Sequence, residues 1–260
     1  MSDTADRIIA SLRAHHDLLA GLAGGLDSDG LSAASGASRW SIADVFSHLG
    51  SGAEIMLGTV TAVATGAPVP EQDNHVIWDR WNASTPREQA AGFVQRDARL
   101  VEALEALTDD QRDHAQVQLG FVPQPIPLEA AIGMRLNEVA QHTWDVQVAL
   151  DPDATLDEGA AELLVDLYAA SMGFMLGFTG RAEAVDDPAV VEAFGHGLVV
   201  DESVLLVAEP PVAPTATFVG SKEAFVRLIG GRLSPDRTPR DVHVSGNVSL
   251  EDLRRVFPGF

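Results

Sequence analysis

Polar side chains recur at helical spacing within residues 135–145 of this 260-residue chain. Glu138 and His142 are four residues apart, so on an α-helix both side chains leave the same face. Asp145 lies almost one turn further along, and apolar residues recur every three or four positions beside this line. A divalent metal would explain an acid and an imidazole at the edge of a buried face. A partly buried hydrogen-bonded network would also explain them, and from spacing alone it is the more common outcome.

A third candidate ligand, His48, lies on an earlier predicted helix that begins near Ser41. Two imidazoles and one carboxylate suit zinc and leave one coordination position open, which is typical of catalytic rather than structural zinc sites. Asp145, or Asp44 about one turn before His48, could hold the second ring proton of an imidazole. Gly52, one turn beyond His48, leaves a space that something other than protein could fill.

The elements that must position these residues are long helices in the first part of the chain. Apolar spacing predicts helices over about residues 4–24, 42–64, 85–107 and 128–150. Short to medium connections between them favour an antiparallel four-helix bundle, in which facing helices can bring distant ligands together. A shorter segment over residues 75–81 is helical or extended, and residues 115–128 are predicted to be a loop with room for a short strand.

A different pattern begins after about residue 183, where short apolar runs are bounded by Pro and Gly. Strands are predicted over residues 204–208, 216–219 and 242–244, and helices over 221–229 and 249–257. The predicted class is therefore α+β. Its predicted parts are a metal-binding bundle over 1–155, an additional helix (158–178) or inter-domain connection over 156–183, and a small α/β domain over 184–260.

Composition limits the partners. The chain has 38 acidic and 17 basic residues and a formal net charge of −21, so neither nucleic acid nor an anionic membrane surface is an expected partner. Without a signal-peptide pattern or a run of about eighteen apolar residues, the protein is expected to be cytoplasmic. It has no cysteine, so any thiol chemistry must take its sulfur from a small molecule.

Other candidate signals favour ordinary structural roles. His15 and His16 are predicted to lie exposed on the first helix, and Trp78 and Trp81 are predicted to be core residues rather than pocket walls. Gly195-His-Gly197 fails the dinucleotide-binding pattern at its third small position. The sequence has no nucleophile elbow, no His-Glu-x-x-His motif and no Walker loop.

Two motifs taken together resemble a known family. They are Trp40-Ser-Ile-Ala-Asp44-Val45-x-x-His48-Leu49 and Arg135-x-x-Glu138-x-x-x-His142-x-x-Asp145-Val146. In order and separation they resemble the mycothiol-dependent maleylpyruvate isomerase family, within the wider DinB/YfiT-like group of metalloproteins. The resemblance implies a DinB-like bundle in which His48, Glu138 and His142 hold zinc. It also implies that the open position accepts the thiol of mycothiol, the small thiol of actinobacteria.

The C-terminal region resembles the family's smaller domain more loosely. The match consists of Phe225-x-x-Leu228-Ile-x-Gly-Arg232 and a following strand, Val-x-Val-x-Gly246. It implies that Arg232 contacts an anionic substrate or the thiol cofactor. Arg227 and Arg237 are alternatives for that role, and each of the three is otherwise a solvated surface charge.

The expected activity uses zinc to favour a thiolate, which is the reactive form of a thiol. Addition to an activated double bond, rotation and departure would give cis–trans isomerisation, whereas a stable conjugate would give S-transfer. Two alternatives stay open: a hydrolase in which zinc-bound water attacks, and a non-catalytic protein that binds a metal or ligand. The expected partners are a small thiol and a small electrophile, and the protein is expected to be a monomer or a homodimer.

Overall fold

The computed structural model describes residues 2–120 and 122–259. The chain divides into two compact units, of which the first ends at Thr155 and the second begins at Leu156. Helices together with a small sheet confirm the predicted α+β class. The finer division into residues 1–155, 156–183 and 184–260, with a role for each, stays a prediction.

Helices dominate the first unit. They are α1 Ser2–Gly25, α2 Ser28–Leu31, α3 Ile42–Thr65, α4 Asn74–Asn82, α5 Pro86–Glu105, α6 Asp109–His114 and α7 Leu128–Leu150. The predicted long helices correspond to α1, α3, α5 and α7, and residues 75–81 are helical in α4. Two-residue strands, β1 Gln116–Val117 and β2 Ile126–Pro127, pair antiparallel before α7. Phe121, within the predicted loop, lies outside the described residues.

Local sequence fixes where α3 and α5 begin. Ser41 and Asp44 form a capping box at the start of α3, in which the serine hydroxyl accepts from the Asp44 N–H and the aspartate accepts from the Ser41 N–H. Thr85 and Glu88 form the same arrangement at α5. Because α3 starts at residue 42, His48 falls in its second turn.

The apolar faces of the long helices form the core of the first unit. Helix α3 packs against α5 and α7, and α1 packs against the same two helices. The side chains at the centre are large and fully buried, among them Ile8, Phe46, Phe93, Leu100 and Trp144. Burial of such side chains supplies the main driving force for folding, so these contacts determine which helix faces meet.

Trp81 fills a space that two glycines leave open. A Cβ at Gly50 on α3 would lie 2.3 Å from the indole ring, and one at Gly92 on α5 would lie 2.9 Å from it. The indole N–H donates to Oε2 of Glu54 at 3.0 Å. Trp81 is therefore a core residue, as predicted, whereas Trp78 on the same helix is 40% exposed and the prediction for it was wrong.

The second unit combines helices with a five-stranded sheet. Its elements are α8 Glu158–Tyr168, α9 Gly173–Thr179, β3 Ala189–Ala193, β4 His196–Val200, β5 Val204–Val207, β6 Ala216–Val219, α10 Lys222–Ile229, β7 His243–Gly246 and α11 Leu250–Val256. The strand order is β5-β4-β3-β6-β7. Only the β3–β6 pair is parallel, with Val191 opposite Ala216. The strands predicted near residues 204, 216 and 242 are confirmed.

The predicted single helix over residues 158–178 is wrong. Its residues form α8 and α9, whose axes differ by 92°. The break occurs because the Met172 N–H donates back to the Leu167 carbonyl and Met172 itself is fully buried, so the chain turns into the core. Among the described residues no single helix is long and apolar enough to span a membrane, and only this bent pair passes that test when its two parts are taken together.

Strands β3 and β4 form a hairpin that the sequence analysis missed. Phe194 and Gly195 make its two-residue turn, both with positive φ, at 55° and 81°. Such a turn normally carries Asn-Gly or Asp-Gly. Here the Phe194 ring packs against Phe218 and Phe225, at centroid distances of 6.0 and 5.7 Å, which offsets the cost of a left-handed phenylalanine. The Gly195-His-Gly197 segment therefore belongs to a turn and strand.

The packing around Trp81 predicts that Gly→Ala substitutions at different positions will change the free energy of unfolding by different amounts. Gly50→Ala places a Cβ inside contact distance of the ring, so we expect a loss of about 1–3 kcal/mol in the free energy of unfolding. Gly21→Ala on α1 meets nothing within 4 Å and should be neutral or stabilising by up to about 1 kcal/mol. Denaturant unfolding of both variants measures the difference, and equal stabilities would contradict the packing.

Candidate metal centre

Three side chains from two helices meet at one point. His48 comes from α3, and Glu138 and His142 come from successive turns of α7. One ligand atom from each lies within 4.8 Å of the others. Nε2 of His48 lies 2.9 Å from Oε2 of Glu138, and Nε2 of His142 lies 3.7 Å from the same oxygen. The structure thus brings together the three residues that the sequence analysis selected as ligands.

The donor set fits a divalent metal. Two imidazole nitrogens and one carboxylate oxygen are a common catalytic zinc set, and in a tetrahedral site such atoms are about 3.4 Å apart. The distances from the Glu138 oxygen to Nε2 of His48 and of His142, 2.9 and 3.7 Å, lie on either side of that value, so small side-chain rotations suffice to adjust them. Side-chain exposure of 39% for His48 and 45% for Glu138 leaves the centre accessible to small molecules.

A buried carboxylate orients His142. Oδ2 of Asp145 lies 2.8 Å from Nδ1 of His142, and the Asp145 side chain has no solvent exposure. Because a carboxylate accepts, this contact assigns the ring proton to Nδ1 and leaves the Nε2 lone pair facing Glu138. Asp145 thus has the partner predicted for it. Asp44, the alternative, is exposed, and its carboxylate accepts from Ser41 in the capping box.

The loop before α3 covers the side of the candidate centre on which Asp145 lies. The N–H of Gly36 donates to the Asp145 carbonyl at 2.7 Å. A Cβ at residue 36 would lie 2.9 Å from the Asp145 Cα and 2.7 Å from Cγ1 of Val148, so only glycine permits this close approach. The loop continues to Trp40, whose ring lies against both imidazoles, with centroids 5.1 Å from His48 and 5.5 Å from His142.

A buried ionic network lies next to the centre. Arg135, one turn before Glu138 on α7, donates to Oδ1 of Asp97 at 2.7 Å and to the Leu49 carbonyl at 2.9 Å. Nδ1 of His16 contacts the other Asp97 oxygen at 2.9 Å. This network joins α1, α3, α5 and α7, and it holds the backbone carbonyl next to His48 at a fixed distance from α7.

Two predictions near this network were wrong. The space at Gly52 is occupied by protein, because a nitrogen of Arg135 lies 3.0 Å from where a Cβ would be. His15 and His16 are buried, with exposures of 4% and 6%, because the first helix is covered by α5 and α7. Nδ1 of His15 lies 2.8 Å from the Ser11 carbonyl, so its ring bonds within its own helix.

The signals for Asp97 and His16 were present in the sequence. Asp97 stands between Phe93 and Leu100 on the apolar face of α5, and His16 stands between Leu12 and Leu19 on that of α1. A charged residue inside a 3.6-residue apolar stripe is usually buried with a partner.

Asp97 is held ionised by this network. Burial alone would raise the pKa of Asp97, but the hydrogen bond from His16 and the charge and hydrogen bond of Arg135 together lower the pKa below its ordinary value. The buried guanidinium and the buried carboxylate therefore compensate each other. Loss of either partner leaves the other as an uncompensated charge inside the first unit.

The candidate arginines belong to the second unit. Arg227 is buried, with its guanidinium bonded to Glu223 and to the Arg237 carbonyl, so it stabilises the end of α10. The Glu223 carboxylate also accepts from the Leu156 N–H at 3.0 Å. Arg232 is half-buried and donates to the Gly230 carbonyl at 2.9 Å. Of Arg227 and Arg232, Arg227 is held in a buried ion pair with Glu223.

Comparison with known proteins places the chain in a family. Residues 12–147 match the family model described as the mycothiol maleylpyruvate isomerase N-terminal domain. This match spans more than half of the chain and includes every residue of the candidate centre. The chain therefore belongs to the mycothiol-dependent maleylpyruvate isomerase family, and the prediction of an enzyme of this family is confirmed at that level.

Solved structures share the fold. The crystal structure of the mycothiol-dependent maleylpyruvate isomerase is 18% identical, with a TM-score of 0.63, and covers 94% of both chains. The structure of a mutant of that isomerase gives the same identity and coverage and a TM-score of 0.64. No curated protein sequence matches the chain. At this identity the likeness establishes the fold of the chain.

The Arg135 network predicts the stability of an Asp97→Asn variant. The substitution keeps the size of the side chain but leaves the guanidinium without a carboxylate, so the free energy of unfolding at neutral pH should fall by about 3–5 kcal/mol. Asp17→Asn, at the exposed position next to His16 in α1, should change it by less than about 0.5 kcal/mol.

The same variant has a defined dependence on pH. Because the pKa of Asp97 is lower in the folded chain, its contribution is complete above the ordinary pKa of an aspartate and disappears as the pH falls through the folded value. The stability gap between wild type and Asp97→Asn should therefore narrow towards low pH. Denaturant unfolding across the acidic range measures the gap, and a constant gap contradicts the assignment.

Proposed function

We propose that this protein is a zinc-dependent enzyme that uses mycothiol as its thiol cofactor or cosubstrate and acts on a small electrophile. The observation that carries the proposal is the convergence of His48, Glu138 and His142 within 4.8 Å. Membership of the mycothiol-dependent maleylpyruvate isomerase family supports the choice of thiol and of isomerisation. S-transfer to the electrophile is the related reaction that the same site would support.

In this proposal His48, Glu138 and His142 hold the metal, and three protein ligands leave a fourth position for an exogenous group. Zinc, when bound, stabilises the anionic form of a thiol in that position and so supplies the nucleophile. The exposed faces of His48 and Glu138 leave room for the thiol to enter. Asp145 keeps Nδ1 of His142 protonated, so that Nε2 stays directed at the centre.

The remaining parts of the proposal follow from the sequence motifs. Arg232 is proposed to contact an anionic group of the substrate or thiol, and its half-buried guanidinium supports that role better than the buried Arg227 does. We also propose that α1, α3, α5 and α7 form a DinB-like antiparallel four-helix bundle. The packing of α3 and α1 each against both α5 and α7 supports this arrangement.

Removal of one ligand tests the metal site. Purified wild-type protein should hold about one equivalent of zinc, and His142→Ala should lose the metal and the activity together. His114→Ala is the matched control, because its side chain is 65% exposed and lies elsewhere in the first unit. Elemental analysis measures the metal, and equal metal content in wild type and His142→Ala would refute the site.

Asp145→Asn tests how His142 is oriented. The variant removes the carboxylate that accepts from Nδ1, so zinc affinity should fall by about 10–100-fold while some binding survives. Competition with a chromophoric chelator gives the affinity. An unchanged affinity would mean that the Asp145 contact serves the fold alone.

Thiol dependence separates the leading proposal from the hydrolase and binding alternatives. Turnover of an activated cis double bond, such as that of maleylpyruvate, should require both metal and mycothiol. Turnover that persists after complete removal of mycothiol would favour a metal-bound water as the nucleophile. Tight binding of thiol without turnover of any electrophile in a broad panel would favour a non-catalytic role.

A further inference from the structure

The two imidazoles of the candidate centre are held in different ways. Nδ1 of His142 is bonded to the fully buried Asp145, and only 8% of the His142 side chain is exposed. His48 is 39% exposed, and its Nε2 faces Glu138. Among the described residues Nδ1 of His48 has no hydrogen-bond partner. No second hydrogen bond therefore selects which way the His48 ring faces.

An aromatic contact takes the place of that missing bond. The ring centroid of Trp40 lies 5.1 Å from that of His48, with the planes tilted by 47°. The same indole stacks on His142 at 5.5 Å and 20°, and the two imidazoles lie 4.8 Å apart, edge to face. Ring pairs at such distances and angles attract each other. The indole thus forms a wall against which both imidazoles lie.

Backbone hydrogen bonds hold Trp40 in this position. Its carbonyl accepts from both the N–H and the hydroxyl of Ser35, each at 2.9 Å, and its own N–H donates to the Ala37 carbonyl at 3.2 Å. The adjacent Gly36 is bonded to the Asp145 backbone. The loop that holds Trp40 is therefore hydrogen-bonded to the backbone of Asp145, the residue that orients His142. The capped start of α3 follows Trp40 directly.

We propose that Trp40 is a positioning residue of the metal centre, acting on His48. Its indole keeps the His48 ring in the orientation that directs Nε2 at Glu138, as Asp145 does for His142 through a hydrogen bond. The proposal rests on the metal-binding role of His48, Glu138 and His142. It adds that the affinity of the centre depends on a flat aromatic ring at residue 40, which contributes no ligand atom.

Three variants test the need for a flat ring. Trp40→Phe keeps an aromatic face, Trp40→Leu keeps apolar bulk without one, and Trp40→Ala keeps neither. Chelator competition should show about tenfold weaker zinc binding for the Ala and Leu variants and near wild-type binding for Phe. The visible absorption spectrum of the cobalt(II)-loaded protein should change in Ala and Leu and be preserved in Phe. Trp78→Ala, at a half-exposed tryptophan on α4, is the matched control and should change neither.

A double variant identifies the residue through which Trp40 acts. In an Asp145→Asn background, which retains some zinc binding, Trp40→Ala should cause a further loss of about tenfold, because the two changes act on different imidazoles. The absence of a further loss in that background would overturn the proposal, since Trp40 would then act through His142. Equal affinities of wild type, Trp40→Leu and Trp40→Ala would overturn it as well.

A measurement on the metal-free protein separates this inference from the proposed function. Nuclear Overhauser contacts between the His48 ring and the Glu138 side chain should be present in wild type and Trp40→Phe and absent in Trp40→Leu. Failure of wild type to bind zinc would refute the metal proposal, while these contacts would still report the ring orientation. Contacts that survive in Trp40→Leu would refute the positioning role even if zinc binds normally. Thermal unfolding of each variant shows whether a loss reflects the site or the fold.

Discussion

The candidate centre depends on a carboxylate that solvent does not reach. Asp145 is completely buried, and a buried charge is costly unless it is hydrogen-bonded. Its bond to Nδ1 of His142 satisfies the carboxylate and sets the direction of the imidazole at the same time. The loop residue Gly36 can cover Asp145 only because it lacks a side chain. From this contact the chain proceeds to Trp40 and the start of α3, so one buried interaction sets the surroundings of both imidazoles.

Rigid and accessible parts of the site are separate. Asp145, Arg135 and Asp97 are buried, and each is hydrogen-bonded: Asp145 to His142, and Arg135 and Asp97 to each other. The groups that face outward, His48 and Glu138, are partly exposed. The proposed function needs both properties, because ligand atoms must be held before a metal binds and one side must stay open for an incoming thiol. The family model ends at residue 147, just after the last of these residues.

Sequence patterns could select Glu138 and His142 as candidate ligands because helical spacing places both on one face wherever α7 lies. The approach of His48 came from the family resemblance and from the general geometry of bundles. Neither predicted that the indole of Trp40 would lie against the two imidazoles, because a contact made by a loop residue follows no regular spacing in the sequence. The hairpin at Phe194 was missed for a related reason, since tertiary aromatic contacts stabilise a turn whose residues are locally unfavourable. The burial of Asp97 was readable from its place in an apolar stripe, whereas its partners, Arg135 and His16, became identifiable only in three dimensions.

The ionic network affects how the first unit unfolds. It consists of Asp97, Arg135 and His16. These residues belong to α5, α7 and α1, and Arg135 also binds a carbonyl of α3. Detachment of one helix would leave a buried charge without its partner in an apolar interior, which costs several kcal/mol. Partly assembled intermediates are thereby disfavoured relative to both end states. The four helices should therefore separate in one cooperative, all-or-none transition rather than fray one at a time.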